Sequence, residues 1–271
     1  FDEDFYKKRV FQKKINYLKS LFFYIKRLFQ LLLLSKDCIA IIHIEILPYV
    51  PYLGEIILKI KKIPYIIDID DAVYLRFYKK NFFLNYIFNL KFHYMIKNSS
   101  IVFAGNNFHI NNFKNINKNI YYMPTVIDVK KNNKYLDINK HKKFTIVWIG
   151  TPSTSIYLLD LIETFNYLIK YHELNLKLIG ADKKILSNLK CSFVNWNDET
   201  ELEELSKCHI GIMPLKNTHW ELGKCSYKIL QYMSLKLAVI ASPIGTNKEI
   251  IQDNFNGLFA ENNSEWKSNI L

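Results

Sequence analysis

The chain has 271 residues, 49% hydrophobic and 23% charged, with a formal net charge of +12. This is an ordinary globular composition, long enough for two modest domains. The positive charge is spread over a Lys- and Asn-rich sequence without zinc spacing, an RNP-like aromatic motif or a recognition-helix pattern, so no nucleic-acid partner is expected.

Near the N-terminus Phe11, Ile15, Leu18, Phe22, Ile25, Phe29 and Leu32 form one apolar helical stripe, with Lys13, Lys14, Lys19, Lys26 and Arg27 off it. A basic amphipathic helix over 11–32 either rests on an anionic membrane surface or packs on a sheet. It is not expected to cross a membrane, which takes about 20 apolar residues, because Leu31–Leu34 is bounded by Lys26, Arg27, Lys36 and Asp37. Cys38, Cys191, Cys208 and Cys225 lie far apart with no C-x-x-C spacing, against a zinc site or redox pair and consistent with a reducing, cytoplasmic setting.

Continuous apolar runs of strand length follow at Cys38–Ile46, Ile63–Ile69 and Ser100–Ala104, separated by helical patterns, as expected of a parallel sheet buried on both faces. Met123–Lys143 holds a proline and a polar Lys/Asn cluster without apolar period and reads as a linker. A second set of runs comprises Phe144–Ile149, Leu176–Ile179, Cys191–Asn195, His209–Met213 and Leu237–Ala241. The expected architecture is α/β, two doubly wound Rossmann-like domains facing across a cleft: 1–126, a linker over 127–142, and 143–271. Ligands should sit at the carboxyl ends of the strands.

The chemistry-bearing residues fall at those ends. DIDDA, Asp68–Ala72, gathers three carboxylates at the end of an apolar strand, a repulsive arrangement unless a cation or hydrogen-bond donors answer it. Asp68 and Asp70 also have the spacing of a D-x-D pair holding a divalent metal against a donor diphosphate. Glu45 and Glu55 flank the aromatic, proline-rich turn ILPYVPYLGE and are assigned to an acceptor side. Gly150, with Thr151 and Ser153 beside it, links a strand to a helix expected to start near Ser153 or Thr154, where backbone amides can meet a phosphate. Trp196 either flanks a nucleotide base or packs in a core.

Gly211–Pro214 ends a strand, and a helix is expected from Gly223 or Lys224. Lys224, Lys228 and Gln231 would then share one face. Cations in a first turn are disfavoured by roughly 0.3–1 kcal/mol each unless an anion faces them, and a diphosphate reverses that sign.

The stretch from Gly211 to Asn262 resembles the donor-binding region of family 4 glycosyltransferases, the GT-B group that transfers sugars from nucleotide sugars with retention. FTIVWIGTPSTSIYLLDLI, VNWNDETELEELSKCHIGIMPL, YIIDIDDAVYL, IVFAGNNF and MPTVID resemble further parts of that group, so the likeness runs from about Cys38 to Trp266. The resemblance implies a chain partial at both ends and a hexosyltransferase acting on a glycan or lipid-linked acceptor in surface polysaccharide or lipopolysaccharide assembly. It further implies a nucleotide-sugar co-substrate, no metal or other cofactor, and a place at the inner face of the membrane.

The resemblance assigns catalysis to Asp70, Asp71 and Lys228. Donor binding falls to Gly150, Thr151, Ser153, Trp196, Glu221, Gly223, Lys224, Lys228, Gln231, Ser242, Gly245 and Glu249. Thr151 stands where many members have an arginine, and Gly223 and Gln231 stand where many have the two glutamates of E-x7-E. Gln231 would then accept a ribose hydroxyl without the strength of a carboxylate. Two other readings remain: a non-catalytic α/β module that binds a nucleotide or partner, and a metal-dependent transferase using Asp68 and Asp70.

Overall fold

The computed structural model describes Val10 and residues 17–78 and 80–271. Phe11, Lys13, Lys14 and Ile15 of the expected amphipathic helix lie outside the described residues. The chain forms two compact units: residues 17–125 with Thr218–Cys225, and Val126–Asn217 with Ser226–Leu271.

The first unit is built on a parallel sheet of β1 (Ala40–His43), β2 (Tyr65–Ile69), β3 (Ile101–Ala104) and β4 (Ile120–Tyr122), in that order. β2 forms because both neighbours cover its backbone while Tyr65, Ile67 and Ile69 are buried. Helices α1 (Tyr17–Leu33), α2 (Leu53–Ile60), α3 (Phe82–Asn98) and α4 (Asn107–Phe113) surround it. Side chains that tolerate extended backbone cap two of them: Asn81 accepts from the Leu84 N–H at 2.9 Å, and Asn106 from the His109 N–H at 3.0 Å. Met95, Ile96, Ile67, Ile69 and Val102 form the centre of the core.

α1 buries Leu31, while the expected stripe of Leu18, Phe22, Ile25, Phe29 and Leu32 is exposed. The expectation that this stripe packs on a sheet is therefore corrected. α1 rests on the unit through Leu31 and Leu34 and a bond from the Tyr24 hydroxyl to the Pro48 carbonyl.

The second unit carries α5 (Val129–Asn132) ahead of a parallel sheet of β5 (Thr145–Ile149), β6 (Asn175–Ile179), β7 (Ser192–Val194), β8 (Ile210–Met213), β9 (Ala238–Ala241) and β10 (Leu258–Phe259), arranged β10-β9-β8-β5-β6-β7. Its helices are α6 (Ile162–Tyr171), α7 (Glu201–Ser206), α9 (Tyr227–Ser234), α10 (Asn247–Ile250) and α11 (Asn263–Ile270); α8 (His219–Leu222) belongs to the first unit. β5 is central and buried at every residue, and separate apolar clusters cover the sheet, one around Trp148 and Phe165, the other around Tyr232 and Val239.

Residues 127–142, read as a linker, group with the second unit. Asp128 caps α5 by accepting from the Lys131 N–H, Asn132 bonds Ser234, and the His141 N–H donates to the Lys207 carbonyl. The Asp cap supplies the helix start that the polar composition hid.

β5 and β8 pair at Ile146–Ile210 and Val147–Gly211. Where that ladder ends, the Tyr232 hydroxyl bridges the strands, accepting from the Ile149 N–H at 3.2 Å and donating to the Ile212 carbonyl at 3.3 Å. Its ring lies on Gly211, where an added Cβ would stand 2.3 Å from Tyr232 Cγ. Gly211→Ala should therefore destabilise the protein by about 1–3 kcal/mol through overpacking, read as a lower urea midpoint with an unchanged slope.

Candidate functional site

In the second unit the site begins where β5 ends. A Cβ on Gly150 would meet the Trp148 ring at 2.4 Å and Thr154 Oγ1 at 2.8 Å, so the Trp148 indole sets the glycine. The Gly150 N–H donates to the Ile179 carbonyl at 3.0 Å and the Thr151 N–H to Thr154 Oγ1 at 3.1 Å. These two amides are committed inside the protein, and the Thr151 and Ser153 hydroxyls, 3.0 Å apart, are the turn's polar groups. The expected α-helix after the turn is a 3-10 segment, Pro152–Leu161, continued by α6. Pro152 is suited to the start of such a segment because it needs no amide partner there.

The helix expected from Gly223 or Lys224 starts later. Ser226 takes the left-handed conformation, φ 56°, and α9 begins at Tyr227. Lys224 therefore lies in the turn before α9, grouped with the first unit, and does not share a helical face with Lys228 and Gln231. Lys228 stands in the first turn of α9 with Nζ 4.7 Å from the centroid of the Trp148 ring, a cation–π contact that offsets the unfavourable helix dipole. Gln231 is buried, and its amide donates to Glu201 Oε1 at 2.9 Å; the Trp196 indole N–H donates to Glu201 Oε2 at 2.6 Å. Burial pushes the Glu201 carboxyl above its usual range, against the lowering effect of these two bonds.

Ser242, buried at the end of β9, accepts the Leu215 N–H at 3.0 Å. Gly245 supplies φ 52° for the turn that follows, and Glu249 is exposed on α10. Ser226 and Asn247 tie α9 to this turn, the Ser226 hydroxyl donating to Asn247 Oδ1 at 2.6 Å and the Asn247 amide to the Ser242 carbonyl at 2.8 Å.

The first unit holds the acidic residues at the carboxyl end of β2. His43, at the end of β1, lies with Nδ1 3.3 Å from Asp68 Oδ2 and Nε2 3.7 Å from Asp70 Oδ2, the partner that the clustered carboxylates called for. Burial, and then the charge of Asp71, pushes the Asp70 carboxyl up, and its Oδ1 is buried with no hydrogen-bond partner among the described residues. Asp71 is exposed. No group of three or more His, Cys, Asp or Glu side chains among the described residues is placed to hold a metal ion.

Thr218–Cys225 packs against these residues. Gly223 lies on Ala72, where an added Cβ would be 2.3 Å from the alanine Cβ. The Gly223 carbonyl contacts His109 Nε2 at 3.0 Å, the Lys224 carbonyl accepts from the Asn106 amide at 3.2 Å, and the Cys225 thiol donates to the Asp70 carbonyl at 2.6 Å. Glu221 is buried and accepts a bond from the Thr218 hydroxyl.

Glu45 and Glu55, expected on an acceptor side, are both held within the unit. Glu45 pairs with Arg76 Nη2 at 2.6 Å and with buried Lys91 Nζ at 2.8 Å, as an ionised group in a dry interior must. Glu55 is fully buried with neither oxygen hydrogen-bonded among the described residues, and burial raises its pKa.

Residues 143–271 match the family model described as Glycosyl transferases group 1. Several solved structures share the fold. HepE from Anabaena, in complex with UDP-glucose, is 12% identical with a TM-score of 0.61 over 80% of this chain and 64% of that one. TarM from S. aureus is 18% identical, with a TM-score of 0.61 over 90% and 50%. A UDP-forming trehalose-phosphate synthase from Burkholderia xenovorans is 10% identical, with a TM-score of 0.65 over 95% and 70%. The fold of the chain is thus that of the GT-B glycosyltransferases, and the chain spans 64% of the length of HepE and half that of TarM. No curated protein sequence matches it.

Glu201, Trp148, His43 and His109 are the residues that sequence reasoning missed. Glu201 opens an acidic helix whose composition reads as a solvated face, and Trp148 and His109 lie in apolar surroundings that carry no functional signal. His109 is fully buried; Asn112 donates to the Tyr74 hydroxyl at 2.9 Å, Tyr74 to His109 Nδ1 at 3.1 Å, and His109 Nε2–H to Gly223. Burial lowers the His109 pKa despite the facing Gly223 carbonyl, Asp70 and Asp71. The unfolded chain therefore binds this proton more readily, and stability falls as pH drops below about 6.5, the ordinary histidine value. Urea midpoints at pH 8 and pH 5.5 should differ less in His109→Gln than in the parent protein.

Proposed function

We propose that this chain belongs to a glycosyltransferase that moves a hexose-type sugar from a nucleotide sugar to a glycan or lipid-linked acceptor, with retention and without a metal ion. The observation that carries the reading is Lys228. Its ammonium is fixed over Trp148 in the first turn of α9, in a unit whose sequence matches Glycosyl transferases group 1. The departing nucleoside diphosphate gains negative charge as the bond to the sugar breaks, and a cation held in a fixed position stabilises that charge. Lys228 neutralises that charge, with the Thr151 and Ser153 hydroxyls as donors. On the acceptor side Asp70, its pKa raised by burial, takes the proton of the attacking hydroxyl, with Asp71 beside it. That HepE was solved with UDP-glucose favours a uridine nucleotide as the donor's carrier.

In the intact enzyme Lys228→Ala should lower kcat by about 100-fold, the usual cost of losing one group that stabilises developing negative charge, while EDTA leaves the parent rate unchanged. An unaltered rate in Lys228→Ala would overturn the assignment of Lys228, and loss of rate in EDTA would favour a metal held by Asp68 and Asp70. Calorimetric binding of UDP with no sugar transfer or donor hydrolysis would favour a non-catalytic nucleotide-binding module.

The exposed face of α1 supports an anionic membrane surface as a partner. Phe22, Phe29 and Leu18 are 60%, 61% and 81% exposed, with Lys19, Lys26 and Arg27 on the same helix. Among the described residues no helix is long and apolar enough to cross a membrane. A lipid-linked acceptor in surface polysaccharide or lipopolysaccharide assembly at the inner face of a membrane fits such a contact. The protein should sediment with phosphatidylglycerol-containing vesicles and not with phosphatidylcholine alone, and the pair Phe22→Asp and Phe29→Asp should abolish sedimentation.

A further inference from the structure

The second unit contains a cavity of about 520 Å³ whose lining includes Asp128, Lys131, Tyr135, Glu201, Leu202 and Tyr227. Its volume is that of a small-molecule site, and Glu201 is set into its wall by bonds a surface glutamate would not have. Glu203 and Glu204 on the same helix pair with Lys207, and Glu204 also with Lys177. Glu201 is instead held by two uncharged donors, one on each oxygen: the Trp196 indole N–H at 2.6 Å and the Gln231 amide at 2.9 Å. Each donor is itself fixed, Gln231 by burial and Trp196 by packing on the core cluster of Tyr232.

A carboxylate offers about four acceptor positions. With one N–H on each oxygen, each retains an accepting lone pair, and the orientation of the carboxyl is set. Two adjacent hydroxyls on a five-membered ring can donate to the two oxygens of one carboxylate, one to each. Burial already disfavours the charged form of Glu201, and two further donors restore what desolvation removes.

We infer that Glu201 receives the vicinal ribose hydroxyls of the nucleoside diphosphate in this cavity, with Gln231 and Trp196 as the groups that position it. The assignment rests on the nucleotide-sugar reading given above and moves ribose recognition from Gln231 to the carboxylate that Gln231 holds. Tyr135 and Tyr227 lie in the same cavity lining and supply aromatic surface for the rest of the nucleoside.

Calorimetric titration of the intact protein with UDP and with 2′-deoxy-UDP tests it. The parent protein should bind UDP about tenfold more tightly than the deoxy nucleotide, the loss of one charge-assisted hydrogen bond. Glu201→Gln should bind both with similar, weaker affinity, whereas Lys228→Ala should weaken both and keep the tenfold ratio. The ratio is the decisive readout, because a merely structural loss would lower both affinities alike. If Glu201→Gln does not fold, as judged by its melting curve, Gln231→Met is read in the same way and should shrink the ratio. An unchanged ratio in the folded glutamate or glutamine variant overturns the inference and leaves the transferase reading standing. Failure of the parent protein to bind UDP, GDP or ADP, by contrast, overturns both.

Discussion

The second unit depends on how Tyr232 closes the gap between β5 and β8. A parallel sheet leaves no backbone group to water, and where the two strands stop pairing an N–H and a carbonyl would be buried without partners, at about 1–3 kcal/mol each. One phenol hydroxyl serves both, the Ile149 N–H and the Ile212 carbonyl. To reach them the ring must lie flat on β8, which is why that strand has Gly211 at its centre. The same bridge locks α9 to the carboxyl ends of the strands. Lys228 lies one turn before Tyr232 on that helix, so its ammonium and the Trp148 indole are placed by packing and not by a flexible loop.

Polar groups in the first unit follow a different rule. The interior holds an ion triad of Glu45, Arg76 and Lys91, and Lys91 Nζ also donates to the Leu47 carbonyl at 2.7 Å. Such a group adds little net stability over an apolar equivalent, yet removing one member strands the others. The triad fixes the turn after β1, which in turn positions His43 against Asp68 and Asp70.

Much of the fold was legible in the chain because strands buried on both faces leave unbroken apolar runs. The runs ending at Ile69, Ala104, Ile149, Met213 and Ala241 correspond to β2, β3, β5, β8 and β9. β4 escaped notice because Tyr121 and Tyr122 are exposed and break the apolar run, and β10 because it has only two residues. The site was less legible. The spacing of Lys224, Lys228 and Gln231 suits a helix, but spacing does not reveal that Ser226 takes a left-handed conformation and delays the helix start. Nor does a sequence show that Gln231 faces Glu201, thirty positions away. Glu45 and Glu55 lay beside a turn and were assigned to an acceptor side; only the three-dimensional positions of Lys91 and Arg76 show why the interior can hold Glu45.

The Cys225 thiol has a consequence for chemical reactivity. It is 8% exposed, donates to the Asp70 carbonyl, and burial pushes its pKa up to about 12. A thiol in that state carries almost no thiolate near neutral pH and resists alkylation. Covalent labelling of Cys225 by iodoacetamide therefore demands that Thr218–Cys225 detach from the strand ends beneath it. The rate of labelling then becomes a direct clock for that opening.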